Sequence, residues 1–148
     1  MIKVSTSIQI NRDPSTVFHF IADPENNPKW QSGMKSCQWS SRKPNWLGSI
    51  YVQQANFLGK EIESTFEIVE FKGGQMIKGR SISGTFPITF TRIVEGAATG
   101  CQVTAIIEGD PKGVFKIAKP LMTWMVKHSI EKDYQKLKEL MEQKKEEI

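Results

Sequence analysis

The chain has 148 residues, 39% of them hydrophobic and 24% charged, enough for one domain with a real core and an ordinary globular balance. That excludes a disordered chain and makes disulfides or a structural metal unnecessary for folding. The net charge is +4; residues 1–111 carry 11 Lys/Arg against 10 Asp/Glu, while 112–148 carry 9 against 6. The excess therefore sits on the C-terminal segment, which argues against a basic nucleic-acid face.

Residues 2–10 alternate, with Ile2, Val4, Thr6, Ile8 and Ile10 on one face, as a half-buried strand does. Asp13 and Pro14 supply an N-cap and a first helical residue for a short helix through Val17, Phe18, Phe20 and Ile21. Asp23-Pro24 repeats the signal, and a second short helix or turn is expected to end at Asn27-Pro28, before Trp30. Strand signals follow at Met34–Arg42, Ser49–Phe57, Lys60–Phe71, Gln75–Ser83, Phe86–Val94 and Cys101–Gly109, separated by short turns. Such spacing suits antiparallel neighbours rather than βαβ units.

From Pro111 the period changes. Phe115, Ala118, Met122, Val126, Ser129, Ile130, Asp133, Leu137, Leu140 and Met141 share one side of a helical wheel, with a kink or restart expected at Pro120. The expected architecture is a single α+β domain over 1–148. A curved antiparallel sheet of about seven strands wraps the long C-terminal helix, and two short helices follow strand 1.

The faces of these elements suggest a cavity. A two-residue turn at Leu58-Gly59 puts Tyr51 opposite Phe66 and Gln53 opposite Ser64 on one face. With Lys78 and Arg80 turned outward, Ile77, Gly79, Ser81 and Ser83 face inward, and the small ones leave space. Phe115, Ala118, Met122, Val126 and Ser129 of the helix would close that space. A solid core built from the same residues is the alternative, and the residues alone leave it open. Asp133, on the apolar helix face, is expected to accept hydrogen bonds from a loop.

Catalytic and metal chemistry find little support. His19 and His128 have no partner at a telling spacing, and Glu61, Glu63 and Glu67 alternate with the inward face and so point to solvent. No phosphate-cradling glycine motif and no ligand cluster is present, so neither cofactor nor metal is expected. Cys37 and Cys101 read as reduced packing cysteines. The chain has no signal-peptide pattern and no apolar run of about 20 residues, so a cytoplasmic protein without integral membrane association is expected. Trp124 falls opposite the apolar stripe, where packing on a loop, gating an entrance or a dimer contact are all open to it.

Several stretches carry a family likeness: Asp13-Pro14-Ser15-Thr16-Val17-Phe18, Ile21-Ala22-Asp23-Pro24 through Pro28-Lys29-Trp30, Gly48-Ser49, Phe57-Leu58-Gly59-Lys60 and Glu131 to Leu140. In these and in element order the chain resembles the START-like, or SRPBCC, superfamily with its helix-grip fold, and within it the polyketide cyclase/dehydrase and lipid transport branch. That group includes lipid carriers, plant hormone receptors, pollen allergens, aromatic polyketide cyclases and ring-hydroxylase subunits, so the likeness speaks for fold more than for function. It favours the cavity over the solid core. The leading expectation is a non-catalytic carrier or sensor of a small hydrophobic molecule (lipid, isoprenoid or aromatic polyketide). The short helices and the turns near Gly84 and Pro111 would gate it. A cyclase or dehydratase using the same cavity, and a protein-interaction module using the charged helix face, are the alternatives. Without a co-purifying ligand and an internal void above about 300 Å³, a drug-sized pocket's lower limit, the carrier expectation loses its basis.

Overall fold

The computed structural model describes residues 1–111 and 113–146, with side chains through Gln143. Strand β1 (Ile2–Ile10) leads into helix α1 (Pro14–Ala22) and a 3-10 helix (Pro24–Lys29). Six strands follow: β2 (Met34–Ser41), β3 (Ile50–Phe57), β4 (Lys60–Lys72), β5 (Met76–Gly84), β6 (Ile88–Gly96) and β7 (Cys101–Gly109). Helix α2 (Lys119–Glu146) completes the chain. The seven strands form one antiparallel sheet in the order β1-β7-β6-β5-β4-β3-β2. Each strand thus pairs with its chain neighbour except β1, which closes against β7 from Ile2↔Gly109 to Ile10↔Cys101.

Local chemistry accounts for the element boundaries. The Asp13 carboxylate accepts from the Thr16 backbone N–H at 2.9 Å, capping α1, with Pro14 in its first turn. Asp23 caps the 3-10 helix through Glu25 N–H at 3.0 Å, and Pro28 lies inside that helix rather than ending it. A 3-10 turn tolerates this because the short element has few internal bonds to lose. At the β3–β4 turn, Leu58 (φ 53°) and Gly59 (φ 77°) both adopt left-handed backbone, the geometry of a two-residue hairpin. Tyr51↔Phe66 and Gln53↔Ser64 are paired in the resulting register.

Two expectations need correction. The long helix begins at Lys119, not near Pro111, so Pro120 sits in its first turn and, of the kink or restart expected there, the structure has a helix start. Phe115 and Ala118 precede the helix, and Ala118 is exposed, its carbonyl accepting from Met122 N–H at 3.0 Å. The inward face of β5 also ends early. Phe66 pairs with Ser81 but Thr65 pairs with Ser83, so the register shifts at Ile82 and Ser83 turns to the outer face.

Helix α2 crosses the concave side of the sheet and is clamped at its C-terminal half. Lys138 donates to the Gln9 carbonyl at 2.7 Å, Arg12 to the Met141 carbonyl at 2.9 Å, and the Glu142 carboxylate accepts from Asn11 N–H at 2.8 Å. Beneath this half the core is dense, with Ile10, Trp30, Val103, Tyr134 and Leu137 buried. Asp133 is buried on the same helix and accepts from the Ser32 backbone N–H at 3.0 Å and the Ser32 hydroxyl at 2.9 Å, anchoring the loop before β2.

Burial raises the Asp133 carboxyl pKa above its ordinary 3.8, against the pull of the two Ser32 bonds. A raised carboxylate binds its proton more tightly in the folded chain. Its contribution is therefore present below the ordinary pKa and is lost as pH rises through the higher folded value. Asp133→Asn keeps an acceptor for Ser32 and does not ionise, so its urea-denaturation stability should lack this downward step. Asp133→Ala should cost about 1–3 kcal/mol, because both Ser32 donors lose their acceptor. Identical pH profiles for wild type and Asp133→Asn would refute the assignment.

Candidate functional site

The inner face divides into a filled half and an open half. In the filled half, Tyr51, Phe66 and Phe90 contact one another, with ring centroids 5.2 Å apart for Tyr51–Phe66 and 5.5 Å for Phe66–Phe90. Gly79 is buried, yet it leaves no vacancy. A Cβ there would strike the Phe90 ring, so the missing side chain is what admits that ring.

Towards the β3–β4 hairpin the packing opens. A cavity of about 190 Å³ lies between the sheet and the first turns of α2. Gln53, Ala55 and Phe57 of β3, Ile62 of β4, Ile88 of β6, Ile107 of β7 and Ile2 of β1 form its sheet side. Met122, Val126, Ser129 and Ile130 of α2 cover it, and Phe86, Pro111 and Phe115 rim it. Among these, Gln53 and Ser129 alone bring polar side-chain atoms. A second hollow of about 260 Å³ shares Ile2, Pro111, Phe115 and Met122 with the first and reaches Asp110 and Lys119. Phe115 is among the residues that line both. Its ring is held edge-on by Phe57 at 5.8 Å and Phe86 at 6.4 Å, with Lys60 Nζ 5.9 Å from its centroid.

Of the residues expected from sequence to line a site, Gln53, Phe115, Met122, Val126 and Ser129 converge on this cavity. Tyr51, Ser64, Phe66 and Gly79 are buried deeper, in or beside the filled half. Ser81 uses its hydroxyl to accept from Ile88 N–H at 2.9 Å across the β5–β6 hairpin, and Ala118 lies outside, at the start of α2. Sequence reasoning passed over Ile62, Ile88 and Ile107, although their alternation placed all three inward.

It also missed the main polar centre. Arg92 of β6 is buried, 5% exposed, and no carboxylate among the described residues lies within salt-bridge distance of it. Its Nη1 donates to the Ile21 carbonyl at 2.8 Å and to Asn27 Oδ1 at 3.1 Å. The guanidinium lies 5.0 Å from the Trp30 ring centroid and 5.3 Å from that of Phe90. Arg92 Nε, Trp30 Nε1 and the Tyr134 hydroxyl are buried without completed hydrogen bonds, although the Arg92 charge bears on Tyr134. From Asn27 a chain of weak sulfur contacts runs to the cavity. Asn27 Nδ2 lies 3.9 Å from Cys37 Sγ, which donates to Gln53 Oε1 at 3.8 Å. That leaves the Gln53 amide hydrogens for the cavity.

A sheet gripping a long helix over an apolar hollow has known relatives. The family model for polyketide cyclase / dehydrase and lipid transport matches residues 1–142. The chain belongs to that family. Among solved structures it is similar to TTHA0849 of Thermus thermophilus, with 17% identity, a TM-score of 0.78 and coverage of 93% of this chain and 94% of that one. A START superfamily protein of Mycobacterium smegmatis gives 16%, 0.78, 95% and 97%. The di-domain ARO/CYC BexL gives 15% and 0.70 over 94% of this chain and 46% of BexL. These likenesses show the helix-grip, START-like fold. No curated protein sequence matches the chain. Among the described residues no helix is long and apolar enough to cross a membrane, and no group of three or more His, Cys, Asp or Glu could hold a metal ion.

Both cysteines are buried and free. Burial pushes the Cys37 thiol up to about 11, outweighing the Asn27 contact and the Arg92 charge, and burial likewise raises Cys101. Since the thiolate is the reactive form, Ellman's reagent at neutral pH should leave both untouched in the native protein and modify both after denaturation. Rapid native-state reaction at Cys37 would contradict the burial described.

Proposed function

We propose that the protein binds a small, predominantly apolar molecule in the cavity between the sheet and α2, and carries or senses it without chemical change. The observation that carries this reading is the cavity itself: about 190 Å³, walled by aliphatic and aromatic side chains, with Gln53 and Ser129 to orient a polar group. The size narrows the ligand. It falls below the roughly 300 Å³ of a drug-sized site but exceeds the about 150 Å³ that accepts benzene in an engineered core. A single ring or a short branched chain fits the closed form. A longer lipid or polyketide requires Phe115 to swing aside and join the second hollow. Family membership supports hydrophobic ligands in general.

A cyclase-type enzyme in the same cavity is the second reading, and the likeness to the ARO/CYC BexL is its support. Against it, the described lining residues include no His, carboxylate, Cys, Lys or Tyr, so a proton transfer would rest on Gln53 and Ser129. Neither group titrates near neutral pH, which makes both poor general acids or bases. Buried, free thiols support a reducing cytoplasmic setting.

Native mass spectrometry with organic extraction should release a small apolar compound from the purified protein. Toluene should raise the melting temperature of wild-type protein stripped of that compound, because a ligand bound only to the folded state stabilises it. Val126→Trp, which fills the cavity, should abolish the toluene shift while keeping a cooperative melt. No co-purified compound and no toluene shift, or an equal shift in Val126→Trp, would overturn the carrier reading.

A further inference from the structure

Among the described residues, the large apolar side chains left exposed are Met1, Leu47, Leu58, Ile82, Leu121 and Trp124. All except Leu47 fall at one end of the molecule. The strand register puts the start of β1, the end of β7, the start of β6, the end of β5 and the β3–β4 turn side by side there, and α2 begins over them. This is also the end at which the cavity opens. Trp124 is the largest of the set and is 63% exposed; its ring stacks on His128 at 5.3 Å and lies on the opposite side of α2 from Met122 and Val126. Leu121, 52% exposed, lies one turn before it. Such side chains gain nothing from water, and their concentration at one end marks a surface that meets something apolar.

The charge on the segment that leads into α2 is of one sign, although Glu61 and Glu108 stand near it on β4 and β7. From 111 to 130 the sequence holds four lysines and no acidic residue. Lys116, Lys119 and Lys127 are exposed, and Lys60 flanks Phe115 on the facing hairpin. The first turn of α2 contains no acid, so the positive end of its macrodipole adds to the lysine charge instead of being offset by it. Asp110 and Glu131 bound the patch. Lysines and a partly exposed Trp around scattered aliphatics suit one occupant, a bilayer surface carrying anionic lipid, with the ring and aliphatics at the headgroup level and the ammonium groups on the phosphates.

We propose that this end of the protein docks peripherally on anionic lipid bilayers through Trp124, Leu121 and Leu58, with Lys60, Lys116, Lys119 and Lys127 contacting headgroups. The docking would set the cavity mouth against the membrane. It does not rest on the cavity's having a ligand.

Flotation with phosphatidylcholine vesicles, with and without phosphatidylglycerol, tests it. The full chain should float with the anionic vesicles at low salt, less so as salt rises, and little with neutral ones. Its tryptophan emission should shift to the blue on binding. Trp124→Ala should weaken partitioning by about an order of magnitude and remove the shift. Lys116→Gln and Lys127→Gln should each weaken it about five-fold. Val126→Trp, run in parallel, should float like wild type, so a failed ligand reading and a failed docking reading give different results. No flotation with anionic vesicles at low salt, or flotation indifferent to Trp124→Ala, would overturn the proposal. So would a dimer in analytical ultracentrifugation that Trp124→Ala dissolves, which would assign the patch to a second copy of the chain.

Discussion

The fold turns on one buried cation. Arg92 stands near the middle of the inner face of the sheet, and its bonds reach the C-terminal end of α1 at Ile21 and the 3-10 helix at Asn27. The ring beneath it, Trp30, packs edge-on to Tyr134 of α2 with centroids 4.8 Å apart. One side chain therefore ties the sheet to the short helices directly and to the long helix through an indole. Burying a lone charge costs several kcal/mol even after relaxation. Two charge-assisted hydrogen bonds of about 1.5–3 kcal/mol each and two cation–π contacts of up to about 2 kcal/mol each offset a penalty of that order. Any rearrangement that removed Asn27 or Trp30 would leave the charge uncompensated, so the geometry of this half is held tightly.

That constraint explains where the cavity is. The half of α2 beyond Ile130 is clamped by Arg12, Lys138 and Asp133 over a core in which Gly79 makes room for Phe90 and the aromatic rings fill the rest. The first turns of α2 have no comparable clamp among the described residues. Met122, Val126 and Ser129 span to β3 and β7 across a gap that smaller side chains, Ala55 and Gly109, do not close. At this end α2 still packs on β1, where Met122 lies against Ile2 and Val4, and the space is left towards β3.

Much of this was legible in the residues. Alternation from Ile2 to Ile10, the Asp13-Pro14 cap and the Leu58-Gly59 turn each depend on neighbours in sequence, and they define strand, helix and register. What escaped depends on tertiary context. The helical wheel carried Phe115 and Ala118 into α2 because periodicity is blind to whether Pro120 kinks a helix or starts one. Ser83 was placed inward because a register shift at Ile82 leaves no mark on the residue types around it. Small residues on β5 suggested vacancy, but the volume beside Gly79 belongs to the neighbouring strand's Phe90, which no pattern within β5 reveals. Arg92 was the avoidable miss. It shares strand parity with Phe90 and Val94, both buried, and that parity alone put it inside; the ordinary preference of arginine for solvent hid a signal that was present.

The Phe115 ring is where packing becomes function. Pro111, Gly113 and Pro120 keep this connection out of the helix, so Phe115 is carried on a backbone without a regular hydrogen-bond ladder. What holds its ring is edge contact with Phe57 and Phe86 and the approach of Lys60, interactions of about 0.5–1.5 kcal/mol apiece. Against the Arg92 centre this is a weak latch, of the size that local opening overcomes without unfolding the domain. The ring these interactions hold lines both the hollow of about 190 Å³ and that of about 260 Å³. Because Lys60 both approaches the Phe115 ring and belongs to the proposed headgroup contacts, an anionic surface that draws Lys60 away from that ring would weaken the latch and enlarge the space behind it. Docking and admission would then be coupled through one side chain, with the rest of the fold, pinned on Arg92, unchanged.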